Sequence, residues 1–344
     1  MEKTNAWLTK QPKQEIMSFC DEYIDFLNRS KTERLCVSAA EKKALAAGFK
    51  PLDSTDTLTA GDKVYCINRG KNIVLAVIGS DDITDGTAIV AAHIDSPRLD
   101  LKPVPLYEDT NLTLFKTHYY GGIKKYQWTA IPLSLIGVVI KGNGEKVEVN
   151  IGENEGDPVF TVTDLLPHLA QEQMTKKMSQ AFTGEDLNLL IGSIPADCEK
   201  DKYKQTILDI LMEKYGIAED DFVSAELEIV PNFKAATVGL DRSLVGSYGQ
   251  DDRVCGYTAL SAICEIENPK KTAVCFLADK EEIGSMGNTG MQSRFFENFL
   301  AEVILKANGE YNDLYLRHLL TNSMCLSSDV TAAADFRILP LRFL

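Results

Sequence analysis

The sequence predicts an α/β protein, a central sheet flanked by helices, whose chain is interrupted by a β-rich insert. Three observations carry that prediction. Toward both ends, short apolar runs of strand length alternate with segments of helical periodicity, the pattern of layered α/β domains. In the middle, short strands are separated by Gly-Gly and Asn-Gly turn signals. The 344 residues also exceed what one core usually serves, since chains divide into domains of roughly 100–200 residues. The expected division is residues 1–103 with 232–344 as one domain and residues 104–231 as the insert.

Between residues 12 and 30, Ile16, Phe19, Tyr23, Phe26 and Leu27 recur at helical spacing. Ser38 with Glu41 reads as a capping box opening a second helix closed by Gly48. Next, "KVYCIN" and "NIVLAVIG" flank the turn "RGK", and "TAIVAAHIDS" supplies a third apolar run that ends on polar groups. From about Val104 come the short strands "NLTLFKTHYYGG", "LSLIGVVIKG" and "EKVEVNIG", a helical patch near Met174, the helix "YKQTILDILMEKYG" and the strand "FVSAELEIV". Pro231 and Asn232 mark the return to alternating elements: strand "KAATVGL", helix "RVCGYTALSAICEIE", strand "TAVCFLA", helix "FFENFLAEVILK" and strand "MCLSS".

Composition narrows the function. Hydrophobic residues at 44% and charged residues at 25% give a soluble balance with a core to bury. The net charge of −14 repels phosphate backbones and anionic headgroups, which argues against nucleic acid or a membrane surface as partner. The N-terminal stretch lacks the apolar core of a signal peptide and no run approaches the ~20 apolar residues that span a bilayer, so a cytoplasmic location is expected. Eight cysteines are scattered without a C-x-x-C pair and mostly inside apolar segments, and they read as reduced, buried thiols.

Chemistry gathers at the carboxyl ends of strands in open α/β sheets. Four strands are expected to end on suitable groups: "AAHIDSP" with His93 and Asp95, "GSYGQDDR" with Asp251 and Asp252, "FLADKEE" with Glu281 and Glu282, and "CLSSDVTAA" with Asp329. His93 and Asp95 stand two apart, so in extended chain they face one side and the carboxylate can orient the imidazole. Asp251 and Asp252 could cap the helix that follows, or one could bridge two cations. Each motif alone has an ordinary structural explanation. Together, one imidazole and several carboxylates form a mixed N/O set suited to zinc, or to manganese or cobalt. The glycines of "GSMGNTG" lack the lysine and hydroxyl of a phosphate loop and read as tight turns.

These residues in this order resemble the aspartyl aminopeptidase family of metallo-aminopeptidases. The resemblance extends over "AAHIDSPRLDLKP", "YYGGIKKYQW", "LLPHLAQEQM", "GQDDR", "DKEEIGS" and "SSDVTAA", most of the chain up to about Asp335. It implies a three-layer, zinc-peptidase-like catalytic domain with a central mixed sheet. It also implies two zinc ions, a homo-oligomer, commonly a dodecamer, and peptides with acidic Asp or Glu at the N-terminus as substrates. Carried across, His93 and Asp329 would bind one ion, Glu282 the other, and Asp251 would bridge them, with Asp95 steadying His93. Glu281 would act as the base that takes a proton from the attacking water, and His168 of the insert would contact the substrate or the transition state. His118 and His318 read as structural or exposed.

The family pattern continues beyond "SSDVTAA" and places a last metal-binding histidine there. The ending "ADFRILPLRFL" does not resemble that continuation and no histidine follows Asp329, so the expectation is a truncated product or shifted frame with one ligand missing. A metal-dependent deacylase or carboxypeptidase, and a catalytically impaired assembly subunit, are the competing readings.

Overall fold

The structure, a computed structural model, describes residues 6–8 and 12–331. They form two compact units, one made of the described residues up to Asp95 with those from Gly249 onward, the other of Ser96–Tyr248.

The first unit is built on a mixed six-stranded sheet in the order Lys50–Pro51, Lys63–Asn68, Asn72–Val77, Ala273–Ala278, Ala88–His93, Met324–Ser327. The last three run parallel to one another, while Asn72–Val77 is antiparallel to both of its neighbours. The Asn72–Val77 and Ala273–Ala278 strands are buried along their whole length, as strands covered on both faces must be. Val274, Phe276 and Ala278 join one core with Phe299, Leu300, Val303 and Ile304 of the Phe295–Asn308 helix and Leu316 and Leu319 of the Asp313–Asn322 helix. By the period of two, Cys275 and Leu277 face the other way, toward the Gln250–Glu265 helix. Phe276 stacks on Phe296 at 5.2 Å with rings 3° apart. Truncation in such packing leaves a cavity, so Phe276→Ala is expected to lower the free energy of urea unfolding by about 3–5 kcal/mol. A loss below about 1 kcal/mol would show that this layer is not the core of the unit.

The first helix, Lys13–Arg29, buries Tyr23, Phe26 and Leu27, and Phe19, Tyr23 and Phe26 all pack on the Tyr257 ring at 5.0–5.3 Å. The second helix, Glu33–Ala46, corrects the expected start. Thr32 is its N-cap, accepting from the Leu35 amide at 3.3 Å, and the early turn is retained because it buries Cys36 and Val37. Ser38 and Glu41 are therefore interior to the helix, and Glu41 instead accepts a hydrogen bond from the Tyr65 hydroxyl at 2.8 Å.

The second unit holds an antiparallel six-stranded sheet in the order Lys146–Ile151, Leu133–Ile140, Glu226–Pro231, Arg98–Asp109, Leu112–Tyr120, Leu189–Gly192. The Lys202–Tyr215 helix packs Ile207, Leu208 and Leu211 against its core. This unit starts earlier than residue 104 because Arg98, Leu99 and Asp100 already pair with Tyr120, Tyr119 and His118. The change of texture near Val104 marks only a register shift inside that strand. It also ends later than residue 231. Ala236–Val238, expected as a strand of the central sheet, pairs with Leu244–Gly246 in a separate two-stranded sheet. Tyr248 closes the unit by donating to the Pro97 carbonyl at 2.9 Å and meeting the Trp128 ring edge-on.

All eight cysteines are free. Only Cys36 and Cys275 are buried, and Cys325 is exposed, because the strand that carries it lies at the sheet edge.

Candidate metal centre

Three adjacent parallel strands deliver their carboxyl ends to one edge of the first unit's sheet. His93 pairs with Ala278, and Ser327 with Ala91, so the residues that follow each strand emerge side by side. His93 and Asp95 end one strand, Glu281 and Glu282 lie in a 3-10 turn after the second, and Asp329 follows the third. The fourth contributor differs from expectation. Asp251 and Asp252 follow no strand of this sheet but open the Gln250–Glu265 helix, where no side-chain cap bond forms at its N-cap, Gly249. Gly256 lets that helix approach, since a Cβ there would lie 3.3 Å from the Ile94 side chain.

Within this frame the imidazole of His93 is 4% exposed and held from one side. Its Nδ1 lies 3.0 Å from the Asp95 carbonyl oxygen and 3.3 Å from Asp95 Oδ1. Asp95 is itself fully buried and accepts the backbone amides of Glu281 and Glu282, both at 3.2 Å. With Nδ1 occupied as donor, Nε2 is the free ligand atom. It lies 3.2 Å from Asp251 Oδ1, 3.8 Å from Glu281 Oε2 and 4.0 Å from Asp329 Oδ1.

Ligand atoms of His93, Asp251 and Asp329 all fall within 4.8 Å of one another. Glu282 is outside that tight set but shares its field, with Asp251 and His93 both acting on its carboxylate. His168 occupies an exposed turn of the second unit, and His118 and His318 are exposed as well.

The electrostatics describe anions crowded around one imidazole. Burial pulls the His93 pKa down, but the Asp95 hydrogen bond and the charges of Asp95, Asp252 and Glu281 outweigh it and raise it to about 9. Burial, then the charge of Asp251, pushes Glu282 up to about 7. Asp252, fully buried beside the Cys255 thiol, rises to about 6, mainly through burial. Adjacent acids thus take different environments, Asp252 inside and the Asp251 side chain 58% exposed at the site. One imidazole nitrogen with several carboxylate oxygens is a donor set that a divalent transition ion satisfies.

A pH dependence follows for the metal-free chain. His93 is raised above its ordinary 6.5, so it contributes stability that is complete below about pH 6.5 and is lost as pH rises through about 9. Glu282 and Asp252 run the same way, losing stability as each ionises near 7 and near 6. The thermal midpoint in chelator is therefore expected to fall between about pH 5 and pH 9, with added zinc restoring more at about pH 8 than at about pH 6. A midpoint that climbs over that range would contradict this charge arrangement.

Asp252 is the site residue that sequence reasoning passed over in favour of Asp251. The doubled acid was the available signal, but nothing in it told which carboxylate turns inward.

Comparison with known proteins identifies the family and the fold. A family model described as aminopeptidase I zinc metalloprotease (M18) matches residues 26–336. A probable M18 family aminopeptidase 1 of Clostridium acetobutylicum is 52% identical over 342 residues, covering 97% of this chain and 73% of the relative. Among solved structures, an M18 family aminopeptidase from Thermotoga maritima superposes with a TM-score of 0.94 at 46% identity, over 98% of this chain and 74% of the other. Aminopeptidase I from Borrelia burgdorferi B31 gives 0.85 at 44% identity, over 96% and 77%.

Proposed function

Because the chain belongs to the aminopeptidase I zinc metalloprotease (M18) family, we propose that it removes single N-terminal residues from peptides at the centre built on His93. The observation that carries this reading is the orientation of His93, whose Nδ1 is held by Asp95 while its Nε2 faces Asp251, Glu281 and Asp329 within 4.0 Å.

In this reading His93, Asp251 and Asp329 would hold one zinc ion and Glu282, with Asp251, would hold a second. Manganese or cobalt suits the same donors. Zinc bound there would supply a Lewis acid that polarises the scissile carbonyl and lowers the pKa of water. The residues of the chain do the rest. Asp95 fixes the His93 tautomer, so that Nε2 remains a lone-pair donor. Glu281, half exposed, takes a proton at its carboxylate from the attacking water and returns it to the leaving amine. Its neighbour Glu282 keeps its charge for the ion, and the shared Asp95 anchor under both amides separates the two tasks. His168 is assigned a contact to the substrate or transition state, and peptides with N-terminal Asp or Glu are the first candidates as substrates.

Matched free-amine and N-acetylated peptides test the reaction. Cleavage is expected at the first bond of the free peptides alone. Equal turnover of the acetylated ones would remove the aminopeptidase reading and favour a deacylase.

We further propose self-assembly through the second unit, up to a dodecamer, in the cytoplasm. Support comes from Leu165, Leu166, Leu169, Met174 and Met178, all more than half exposed within one short stretch of that unit. Sedimentation is expected to show an oligomer that Leu169→Glu weakens. A monomer at every concentration would refute it. No helix of the described residues is long and apolar enough to cross a membrane.

A further inference from the structure

We infer that Asp279, Thr289 and Asn72 form a positioning lock that holds Glu281 and Glu282 in register with His93. None of the three needs to touch substrate. Its catalytic consequence rests on the roles proposed above for the two glutamates, while the lock itself is a property of the loop.

Both acids ride on the loop of residues 279–290, which leaves the buried Ala273–Ala278 strand and must come back to the same place. Four of its residues, Lys280, Gly284, Ser285 and Gly287, have positive φ values of 70°, 92°, 59° and 94°. Two of these are not glycine, a conformation that persists only where the surroundings impose it.

The imposition comes from the base of the loop. An isolated parallel bridge joins Asp279 to Gly290. The Thr289 hydroxyl donates to Asp279 Oδ2 at 2.6 Å, and Asn72 Nδ2 donates to the Thr289 carbonyl at 2.6 Å. Asp279, Thr289 and Asn72 are each at most 1% exposed, so these bonds have no competition from water. Gly290 allows the closure, since a Cβ there would stand 2.1 Å from the Ser285 carbonyl oxygen. Burial and the Glu33 carboxylate push the Asp279 pKa up, against the charge of Lys71, which is next to Asn72 and 3.0 Å from Glu33.

The loop is thus pinned twice. The Thr289 hydroxyl fixes Asp279, just before Lys280, and Asp95 fixes the amides of Glu281 and Glu282 just after it. Between the pins, Ser285 N donates to the Lys280 carbonyl at 2.6 Å and Gly284 N to that of Glu281 at 2.9 Å. Releasing the first pin leaves Asp95 as the remaining side chain that fixes the backbone of the two glutamates. A displacement of about 1 Å matters more to the reaction than to folding. The plainer reading is a buried polar pair that only stabilises the fold.

Thr289→Val, which removes the hydroxyl at constant shape, and Thr289→Ser, which restores it, separate the two in the full chain. With zinc bound and aminoacyl p-nitroanilides as substrates, Thr289→Val is expected to lower kcat by about 10–100-fold with KM little changed, and Thr289→Ser to recover most of the loss. Amide exchange across residues 280–285 of the metal-free chain is expected to accelerate about tenfold or more in the valine variant. Unchanged exchange would overturn the lock, and so would accelerated exchange with unchanged kcat, or equal losses in both variants. If the wild-type chain cleaves no free-amine substrate, the proposed function fails while exchange still decides the lock. Should Thr289→Val not fold, Asn72→Ser is read by the same two measurements.

Discussion

Glu281→Gln is expected to lower kcat on a cleavable peptide by about 10²–10⁴-fold, the range that a positioned acid–base group contributes. Zinc content should stay at the wild-type level. The geometry separates the two effects: the Glu281 side chain is half exposed, 3.8 Å from His93 Nε2, and fixed through its own amide rather than through the carboxylate. Glutamine keeps the shape and the backbone bond to Asp95 but cannot accept a proton at neutral pH. KM should therefore move little, since the loss falls on the step and not on the hold. A variant that retained kcat within a factor of about three would remove Glu281 from the reaction, leaving Glu282 or Asp252 as the base.

His93→Ala is expected to have the larger effect on the metal. Nε2 is the one nitrogen of the set and the atom from which the distances to Asp251, Glu281 and Asp329 are 3.2, 3.8 and 4.0 Å. Its removal should weaken zinc binding beyond the about 10–100-fold that follows loss of a ligand's supporting partner. Activity should fall with it. Stability should change less, because Asp95 retains two backbone amides after the imidazole has gone. Calorimetric zinc titration of the variant, beside its urea unfolding curve, separates the two. Zinc binding as tight as in the wild-type chain would show that the ions lie elsewhere.

Much of this site was legible in the sequence because each piece carries its own local signal. His93 and Asp95 are two apart at the end of an apolar run, and extended geometry brings them to one side, as found at 3.3 Å. Glu281 and Glu282 follow an apolar run that forms a buried strand, and Asp329 follows a shorter one that forms an exposed edge strand. What the sequence did not reveal depends on pairing partners far along the chain. Residue 98 belongs to the second unit because of its register with Tyr120, not because of its composition. The "KAATVGL" run reads as a core strand until its short partner at Leu244–Gly246 is known.

Other misses have the same origin. Thr32 rather than Ser38 caps the second helix because burial of Cys36 and Val37 rewards the earlier start. The inward turn of Asp252 depends on backbone angles that departed from the helix, with φ and ψ of −112° and 32°. Asn72, some two hundred residues from Thr289 by chain, gave no local sign of its bond to the loop.

The claim on which the rest depends is that an imidazole and carboxylates distant in sequence meet around a metal ion. Anomalous diffraction at the zinc edge, on crystals of the full chain grown with zinc, tests it directly. The expected result is a peak at coordination distance, about 2.0–2.2 Å, from His93 Nε2 and the carboxylates of Asp251 and Asp329, with a second peak beside Glu282. Zinc bound only at sites remote from His93, or no zinc at all in crystals that diffract well enough to place these side chains, would contradict it.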